Sequence, residues 1–360
     1  MASLRIGLKP NLRMLASGTL GVVLLVAAGC NSSKETGRQA EESQSKPAAG
    51  SAEWHPRPLT DRKFERTPQR MARGRYLVEH VAGCFDCHSL VDFKKPGMQP
   101  IAGYKGSGDV LTADEAGFPA PYQVVHPNIS PDMDTGAGTW TDDMFARAIR
   151  EGVGHDGRKL TNYMPYRQFR YLSDEDLASV VVYVRSIPPV HRSLPKSNFP
   201  EWVLDEANPK PLSEPVPTPD LSTPVKRGEW LVHIADCSGC HTPTDGRFHD
   251  LPGMYMAGGG QLKGRWGEVY SANLTPDPSS PFYTSTPEQF IKEIHSGKVT
   301  ARVLNSIMPW GYFRGMTDED LRAIFAYLRT LKPVKHRVDN TEPPTYCRLC
   351  RQKHGLGYMN

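Results

Sequence analysis

Apolar residues recur every three or four positions in several stretches of the chain, and this spacing predicts helices that bury one face. Two stretches show it most clearly, with apolar stripes formed by Leu177, Val180, Val181 and Val184 and by Leu321, Ile324, Phe325 and Leu328. No stretch has the sustained alternation of apolar and polar residues that a large sheet requires. The pattern therefore predicts an all-α fold.

Hydroxyl residues suited to cap helices stand where the predicted helices begin. These caps are Thr67, Thr141, Ser173, Thr286 and Thr317. Two of them, Ser173 and Thr317, are followed three residues later by Asp176 and Asp320, which predicts capping boxes. The same caps recur in the same order, so the helices are predicted to form two equivalent sets.

Three sequence blocks appear twice in the same order, which indicates duplication of one unit. The first block runs from Gly74 to His88 and again from Gly228 to His241, and the second is Asn128-Ile-Ser-Pro-Asp and then Asn273-Leu-Thr-Pro-Asp. The third begins with a Met-Pro pair and continues into the last predicted helix of each copy.

The first block ends in a Cys-x-x-Cys-His motif in both copies. Such a motif attaches haem c, because two thiols at this spacing reach the two vinyl groups of one porphyrin and the adjoining histidine binds the iron. A zinc site would need four ligands around one ion, and the long separation of the motifs disfavours a shared site. The sequence predicts two covalently bound haem c groups, with thioethers from Cys84, Cys87, Cys237 and Cys240 and iron ligands His88 and His241.

With these motifs, the sequence resembles the class I c-type cytochromes over nearly all of residues 67–336, in two copies. The Asn-Ile/Leu-Ser/Thr-Pro-Asp element and the Met-Pro-Tyr/Trp block make it similar, more narrowly, to the multi-haem cytochrome c subunits of membrane-bound alcohol and sugar-acid dehydrogenases. Those subunits typically carry three haem units, whereas this chain has two. The resemblance implies about three helices around each haem, and it implies Met164 and Met308 as the distal iron ligands.

The two methionines also stand out by position, since each lies in a Met-Pro turn just before the last helix of its copy. Proline keeps the methionine out of that helix, although a methionine is more often core filler. The competing iron ligands are His126, His155, His249 and His295. The residues expected either to contact haem or simply to build loops and core are Asn128, Asn273, Trp140, Tyr166, Trp266 and Trp310.

The N-terminus has the composition of an export signal, with three basic residues followed by an apolar run. Cys30 follows Ala-Ala-Gly as in the lipobox of bacterial lipoproteins, which predicts its lipidation and a protein anchored at the periplasmic side of a bacterial membrane. A cleaved signal with an unlipidated cysteine and an uncleaved anchor are the alternatives. Removing residues 1–29 removes three basic residues and no acidic ones, which lowers the net charge from +4 to +1. Nothing in this composition suggests nucleic-acid binding, which needs a concentrated basic face.

The expected organisation follows the repeats and the proline-rich stretch between them. It comprises a lipoprotein signal peptide (1–29), a disordered tether (30–54), a first haem c domain (55–192), a proline-rich linker (193–224), a second haem c domain (225–336) and a C-terminal tail (337–360). In the tail, Cys347 and Cys350 lack the following histidine that a third haem would need. A local disulfide is the first expectation for an exported protein, and a metal site with His354 is the alternative, with only three nearby ligands visible.

A haem iron with histidine and methionine ligands exchanges electrons more readily than it binds a substrate. We therefore expect an electron carrier, not an enzyme, that works between a dehydrogenase or membrane complex and a terminal acceptor such as an oxidase or a soluble cytochrome. The alternative is a di-haem peroxidase, which needs one open iron site, and the matching Met-Pro blocks argue against that asymmetry. A sensor or binding module is the third hypothesis.

Overall fold

The computed structural model describes residues 55–212 and 215–356, and this part of the chain is mostly helical with a few small sheets. The helices are α1 (Pro68–Tyr76), α2 (Cys84–Cys87), α3 (Asp142–Ala146), α4 (Tyr166–Phe169), α5 (Asp174–Val184), α6 (Glu201–Asp205), α7 (Pro224–Ile234), α8 (Cys237–His241), α9 (Pro287–Ser296), α10 (Trp310–Phe313) and α11 (Asp318–Leu328). Single π-helical turns, Leu77–Val81 and Arg147–Glu151, extend α1 and α3, and Pro281–Thr284 is a 3-10 turn.

The sheets are antiparallel hairpins of two short strands each. They pair β1 (Asp109–Leu111) with β2 (Val124–His126), β3 (Gln261–Gly264) with β4 (Gly267–Tyr270), β5 (Lys298–Val299) with β6 (Arg302–Val303), and β7 (Pro344–Tyr346) with β8 (Lys353–Gly355). The prediction of a helical protein without a large sheet is thus confirmed for the described residues. The first three hairpins lie in connections between helices and the fourth follows α11. Their alternation extends over only two to four residues, which is too short for a sequence pattern to reveal.

Every predicted cap accepts a hydrogen bond from the first turn of its helix, and the two capping boxes are only half formed. Ser173 accepts from the amide of Asp176, but the Asp176 carboxylate binds Arg73, 2.7 Å away, instead of turning back to the cap. Asp320 binds Arg227 in the same way, at 2.5 Å. An arginine from the partner helix therefore takes the carboxylate that a capping box would use, and joins the first and last helices of each repeat.

The first and last helices of each repeat cross closely enough to need glycine at the crossing. A Cβ built on Gly74 of α1 would lie 2.0 Å from the carbonyl oxygen of Ser179 in α5, and one built on Gly228 of α7 would lie 1.9 Å from that of Ala323 in α11. Real Cβ atoms do not approach a backbone carbonyl so closely. The matching glycines therefore set the packing of α1 on α5 and of α7 on α11.

Replacing Gly228 by alanine should therefore destabilise the protein, because the helices must separate or shift. Overpacking of a core costs about 1–3 kcal/mol and occasionally more, and a clash with backbone places this substitution at the upper end. Denaturant unfolding followed by circular dichroism measures the loss. Gly246→Ala is the matched control, since a Cβ there meets nothing within 4 Å, and equal stability of the two variants would contradict the proposed crossing.

The two repeats pack against each other through reciprocal contacts. Short helix α4 of the first repeat lies against α7 of the second, and α10 of the second lies against the π-turn that follows α1. The ring of Tyr171 stacks on that of His233 at 4.3 Å, and His80 hydrogen-bonds the carbonyl of Tyr312 at 3.2 Å. His80 and His233 each lie four residues before the first motif cysteine. One hydrophobic cluster accordingly contains side chains of both repeats.

The proline-rich stretch between the repeats lies along the first repeat. Its helix α6 buries Val203 in a small apolar cluster with Phe118 and Val124, and Asn198 forms a β-bridge with Gln123. A proline-rich linker was predicted here, and a helix as short as α6 leaves no apolar periodicity in such a sequence. The assignment of residues 193–224 as a linker, like the other domain limits, stays a prediction.

The predicted signal peptide, Cys30 and the tether lie outside the described residues. Within residues 55–212 and 215–356, no helix combines the length and the apolar character needed to cross a bilayer.

Candidate haem-binding sites

Both Cys-x-x-Cys-His motifs form a short helical turn directly after the first helix of their repeat. Helix α2 contains Cys84 and Cys87, helix α8 contains Cys237 and Cys240, and all four are free thiols. Burial raises the pKa of Cys84, Cys237 and Cys240 to about 12, so these thiols are neutral at physiological pH. The helical turn brings each pair to one side of the backbone, as attachment to one porphyrin requires.

The motif histidines are oriented for metal binding in the same way. His88 Nδ1 lies 2.9 Å from the carbonyl oxygen of Pro127, and His241 Nδ1 lies 2.7 Å from that of Ala272. A carbonyl only accepts, so Nδ1 carries the proton and Nε2 presents a lone pair. Burial lowers the pKa of both imidazoles, although the hydrogen bond to the carbonyl opposes it. Both rings are thus neutral and suited to bind iron through Nε2.

The predicted distal ligands lie in identical turns. The Met164 amide donates to Thr161 at 3.1 Å and its carbonyl accepts from Tyr166 at 2.7 Å. Met308 makes the same pair of bonds, with Asn305 at 3.1 Å and Trp310 at 2.7 Å. Both side chains are half-buried against the core. The assignment of Met164 and Met308 as iron ligands stays a prediction, now with matching backbone geometry in both copies.

The competing histidines occupy dissimilar surroundings. His126 is buried beside the ring of His88, with centroids 6.0 Å apart, and burial lowers its pKa to about 3. His155 stacks on Trp140 at 4.5 Å, and its Nδ1 has no hydrogen-bond partner among the described residues. His249 pairs with Asp245 and Glu206, and His295 with Asp318 and the carbonyl of Arg314. No two of these histidines share one environment in the two repeats.

The repeated asparagines build loops. The Asn128 carboxamide accepts from the amide and hydroxyl of Ser130, at 3.0 and 2.7 Å, and donates to the Val190 carbonyl at 2.7 Å. Asn273 bonds Thr275 and Val334 in the same manner. These contacts tie each Asn-x-Ser/Thr-Pro-Asp loop to the segment after the last helix of its repeat. Of the two roles expected for them, loop formation fits the structure.

Some aromatic residues expected at the haems carry polar atoms that the protein leaves unpaired. The indole N–H groups of Trp266 and Trp310 are buried without a hydrogen-bond partner among the described residues, as is one carboxylate oxygen of Asp86. Buried polar groups nearly always have a partner. The two propionates of a haem are acceptors of the kind that these unpaired indole N–H donors lack, so the donors fit a bound haem. The Tyr166 hydroxyl, by contrast, has a partner within the protein, because it accepts a hydrogen bond of 3.1 Å from the amide of Asn208.

The two motifs lie near each other at the contact between the repeats. Burial and the charge of Asp86 raise the pKa of Cys87 well above its ordinary value, and the charge of Asp236, directly before the second motif, raises it further. Asp236 accepts a hydrogen bond of 3.0 Å from Gln168, which follows Met164 in the first repeat. Reciprocal packing thus brings together attachment segments that are 153 positions apart in the sequence. Sequence reasoning missed this proximity, because no local signal encodes the pairing of two repeats.

The C-terminal cysteines differ from the first expectation. Cys347 and Cys350 are free thiols, so the expected disulfide is absent from the structure. Both lie beside His354 and also beside His336, which sequence reasoning left out. His336 stands eleven residues before Cys347, at the predicted end of the second haem domain, and nothing in the intervening sequence links it to the cysteines.

The chain is similar to several cytochrome and dehydrogenase subunits. It is 26% identical to a diheme cytochrome c-type protein of Cereibacter sphaeroides, over 71% of this chain and 84% of that protein. It is 32% identical to the gluconate 2-dehydrogenase cytochrome c subunit of Pantoea cypripedii, over 48% of this chain and 37% of that protein. It is 28% identical to a nicotinate dehydrogenase subunit of Pseudomonas putida, over 73% of this chain but only 21% of that protein.

These similarities confirm the resemblance to multi-haem cytochrome c subunits of dehydrogenases. The chain spans about a fifth of the nicotinate dehydrogenase subunit and just over a third of the gluconate dehydrogenase subunit. No family model matches the chain.

Proposed function

We propose that this chain, a multi-haem c-type cytochrome of the dehydrogenase-subunit type, holds two haem c groups and transfers electrons between a dehydrogenase or membrane complex and a terminal acceptor. The observation that carries the proposal is the reciprocal contact of the repeats, in which Gln168 of the first repeat donates a hydrogen bond of 3.0 Å to Asp236, the residue directly before Cys237. Two haems attached at segments that meet in one interface would be placed to pass electrons in series, as a relay requires.

Each haem, when bound, supplies a one-electron iron couple, and the chain supplies attachment, orientation and insulation. His88 and His241 are held by backbone carbonyls with Nε2 available for iron. Met164 and Met308, in matching turns, are the proposed opposite ligands. An iron held by both residues would have no open position for a substrate, and a methionine ligand would favour its reduced state. The residues therefore favour electron transfer over binding or turnover of a substrate.

The di-haem peroxidase is not favoured. A peroxidase needs one iron with an open distal site, whereas the two histidines and the two Met-Pro turns have the same local geometry. The related proteins described above are named as cytochrome or dehydrogenase subunits, and none of those three names describes a peroxidase.

Spectroscopy of the full-length holoprotein tests the proposal directly. We expect two haems per chain, both irons low-spin in the oxidised state with the signature of methionine ligation, and two one-electron steps in a potentiometric titration. Co-purification from membranes should recover a dehydrogenase that reduces the cytochrome when its substrate is added. High-spin iron in the resting protein, or prompt turnover of peroxide, would instead establish the peroxidase.

We also propose that lipidation of Cys30 anchors the protein at the periplasmic side of a bacterial membrane. The support is the sequence alone, an export signal followed by Ala-Ala-Gly-Cys. Cys30→Ser should move the haem-containing protein from the membrane fraction to the soluble periplasmic fraction. Cys347→Ser, which lies far from the signal in sequence, is the control and should stay with the membranes. A Cys30→Ser protein that remained membrane-bound would argue against the lipid anchor.

A further inference from the structure

We propose that His336, Cys347, Cys350 and His354 bind a single structural zinc ion. One ligand atom from each of these residues lies within 4.8 Å of every other. All four residues are buried, with at most 2% of their surface exposed. The inference concerns a site separate from the haem motifs and does not depend on the proposed function.

The chain builds this site from a hairpin and from the segment that follows α11. Strands β7 and β8 flank the Cys-x-x-Cys turn, which is closed by bonds from the Cys347 amide to the Gln352 carbonyl, 2.9 Å, and from the Arg351 amide to the Cys347 carbonyl, 3.0 Å. A Cys-x-x-Cys turn points two thiols at one spot and is a frequent half of a zinc site. His354, on β8, adds a third ligand next to them.

His336 reaches the site from outside the tail. Its amide donates to the Ser279 hydroxyl at 3.0 Å, and its carbonyl accepts a bond of 3.0 Å from Asn273. Its Nε2 lies 3.4 Å from Cys347 Sγ. A Cβ on Gly259 would lie only 2.5 Å from the His336 ring, so glycine is required for the ring to lie there. The fourth ligand is thus fixed by the loops of the second repeat.

The protonation of the two histidines points to a cation between them. His336 Nδ1 lies 2.9 Å from the Ala257 carbonyl, and His354 Nδ1 lies 3.2 Å from the Gly355 carbonyl. Carbonyls only accept, so both Nδ1 atoms carry the proton and both Nε2 atoms present lone pairs. These Nε2 atoms are 2.9 Å apart. Two lone pairs repel at that distance. A metal ion bound by both Nε2 atoms would replace this repulsion with attraction, and each hydrogen bond to a carbonyl would orient its ligand ring.

The donor set selects zinc. Two thiolates and two imidazoles in a closed group are a structural zinc set. A Rieske-type [2Fe–2S] cluster, the two-cysteine and two-histidine alternative, holds its cysteines and histidines on different irons, whereas here an imidazole nitrogen lies 3.4 Å from a cysteine sulfur and 2.9 Å from the second imidazole. Binding of Zn²⁺ releases one proton from each thiol, and the neutral product suits an apolar surrounding that includes Leu251, Met254, Ala257 and Val334.

The ion would join the C-terminal tail to the loop that contacts His241 of the second haem motif. The His336 ring bonds the carbonyl of Ala257, and the next residue, Gly258, donates a bond of 2.7 Å to the carbonyl of His241. Loss of the ion should therefore release residues 337–356 and loosen the loop that contacts His241. Hydrogen exchange and limited proteolysis of that segment report the change.

Metal analysis of the full-length holoprotein tests the site. We expect one zinc per chain beside two irons, and a zinc X-ray absorption spectrum with two sulfurs at about 2.3 Å and two nitrogens at about 2.0–2.1 Å. Cys347→Ser/Cys350→Ser should lose the zinc and keep both irons, and the haem spectrum verifies that it has folded. His249→Ala/His295→Ala, at histidines outside the four-residue cluster, is the control and should keep the zinc.

A conservative variant distinguishes loss of a zinc ligand from unfolding of the tail. His354→Cys retains a ligand and should keep one zinc with three sulfurs, whereas His354→Ala should lose it. The proposal is overturned by three irons without zinc, by zinc that persists in the double cysteine variant, or by a zinc-free chain whose intact mass shows a Cys347–Cys350 disulfide. A reduced, zinc-free chain that takes up no added Zn²⁺ would overturn it as well.

Discussion

Replacing Met308 by leucine should turn the second haem from a low-spin into a high-spin iron and lower its reduction potential. Leucine keeps the volume of the side chain but has no sulfur to bind iron, so the distal position becomes open or takes a weaker ligand. Axial ligands set haem potentials over a range of roughly 0.8 V, and loss of methionine should lower this one by hundreds of millivolts within that range. Visible and magnetic circular dichroism spectra with a potentiometric titration measure both effects.

Met316→Leu is the matched control for Met308→Leu. Met316 lies in the same repeat, is buried in the hydrophobic core and is not a predicted ligand. Its substitution should leave both haem spectra unchanged, and Met164→Leu should reproduce the Met308 result at the first haem. An unchanged spectrum in Met308→Leu would remove that methionine from the iron and reopen the assignment of the distal ligand.

Removing Cys237 and Cys240 together should leave a protein with one covalent haem. Without thiols the second motif forms no thioether bonds, while the first motif, built from its own helix α2, keeps its haem. The intact mass should fall by one porphyrin beyond the change of side chains, and haem staining of a denaturing gel should fall by about half. Without an attached haem, His241 should no longer ligate iron, and the low-spin signal of the second haem should be absent.

The double variant of Cys347 and Cys350 controls for loss of cysteines in general. It removes the same number of thiols but should keep both haems, since neither cysteine is followed by histidine. If Cys237→Ala/Cys240→Ala lost no mass beyond its side-chain atoms, the second haem would be absent from the native protein. Loss of both haems would show that neither repeat folds without the other. Such coupling would have a structural basis, because the two repeats share one hydrophobic cluster.

The sequence predicted much of the local structure because local structure follows from neighbouring residues. Caps, apolar stripes and repeated motifs each act over a few positions, and the helices begin where Thr67, Ser173 and Thr317 predicted. Even there, tertiary contacts changed the detail. The carboxylates of Asp176 and Asp320 bind arginines of neighbouring helices instead of closing the predicted boxes.

By itself, the sequence determined the chemistry of each repeat: two thiols and a histidine at fixed spacing, a methionine in a proline turn, and helices with one apolar face. The tertiary structure decided how these parts meet. It placed Gln168 of the first repeat against Asp236, directly before the second haem motif, and it brought His336 to Cys347, Cys350 and His354. The physical reason is range: spacing along a chain fixes which groups share one turn, whereas groups far apart in sequence meet only through the packing of whole elements.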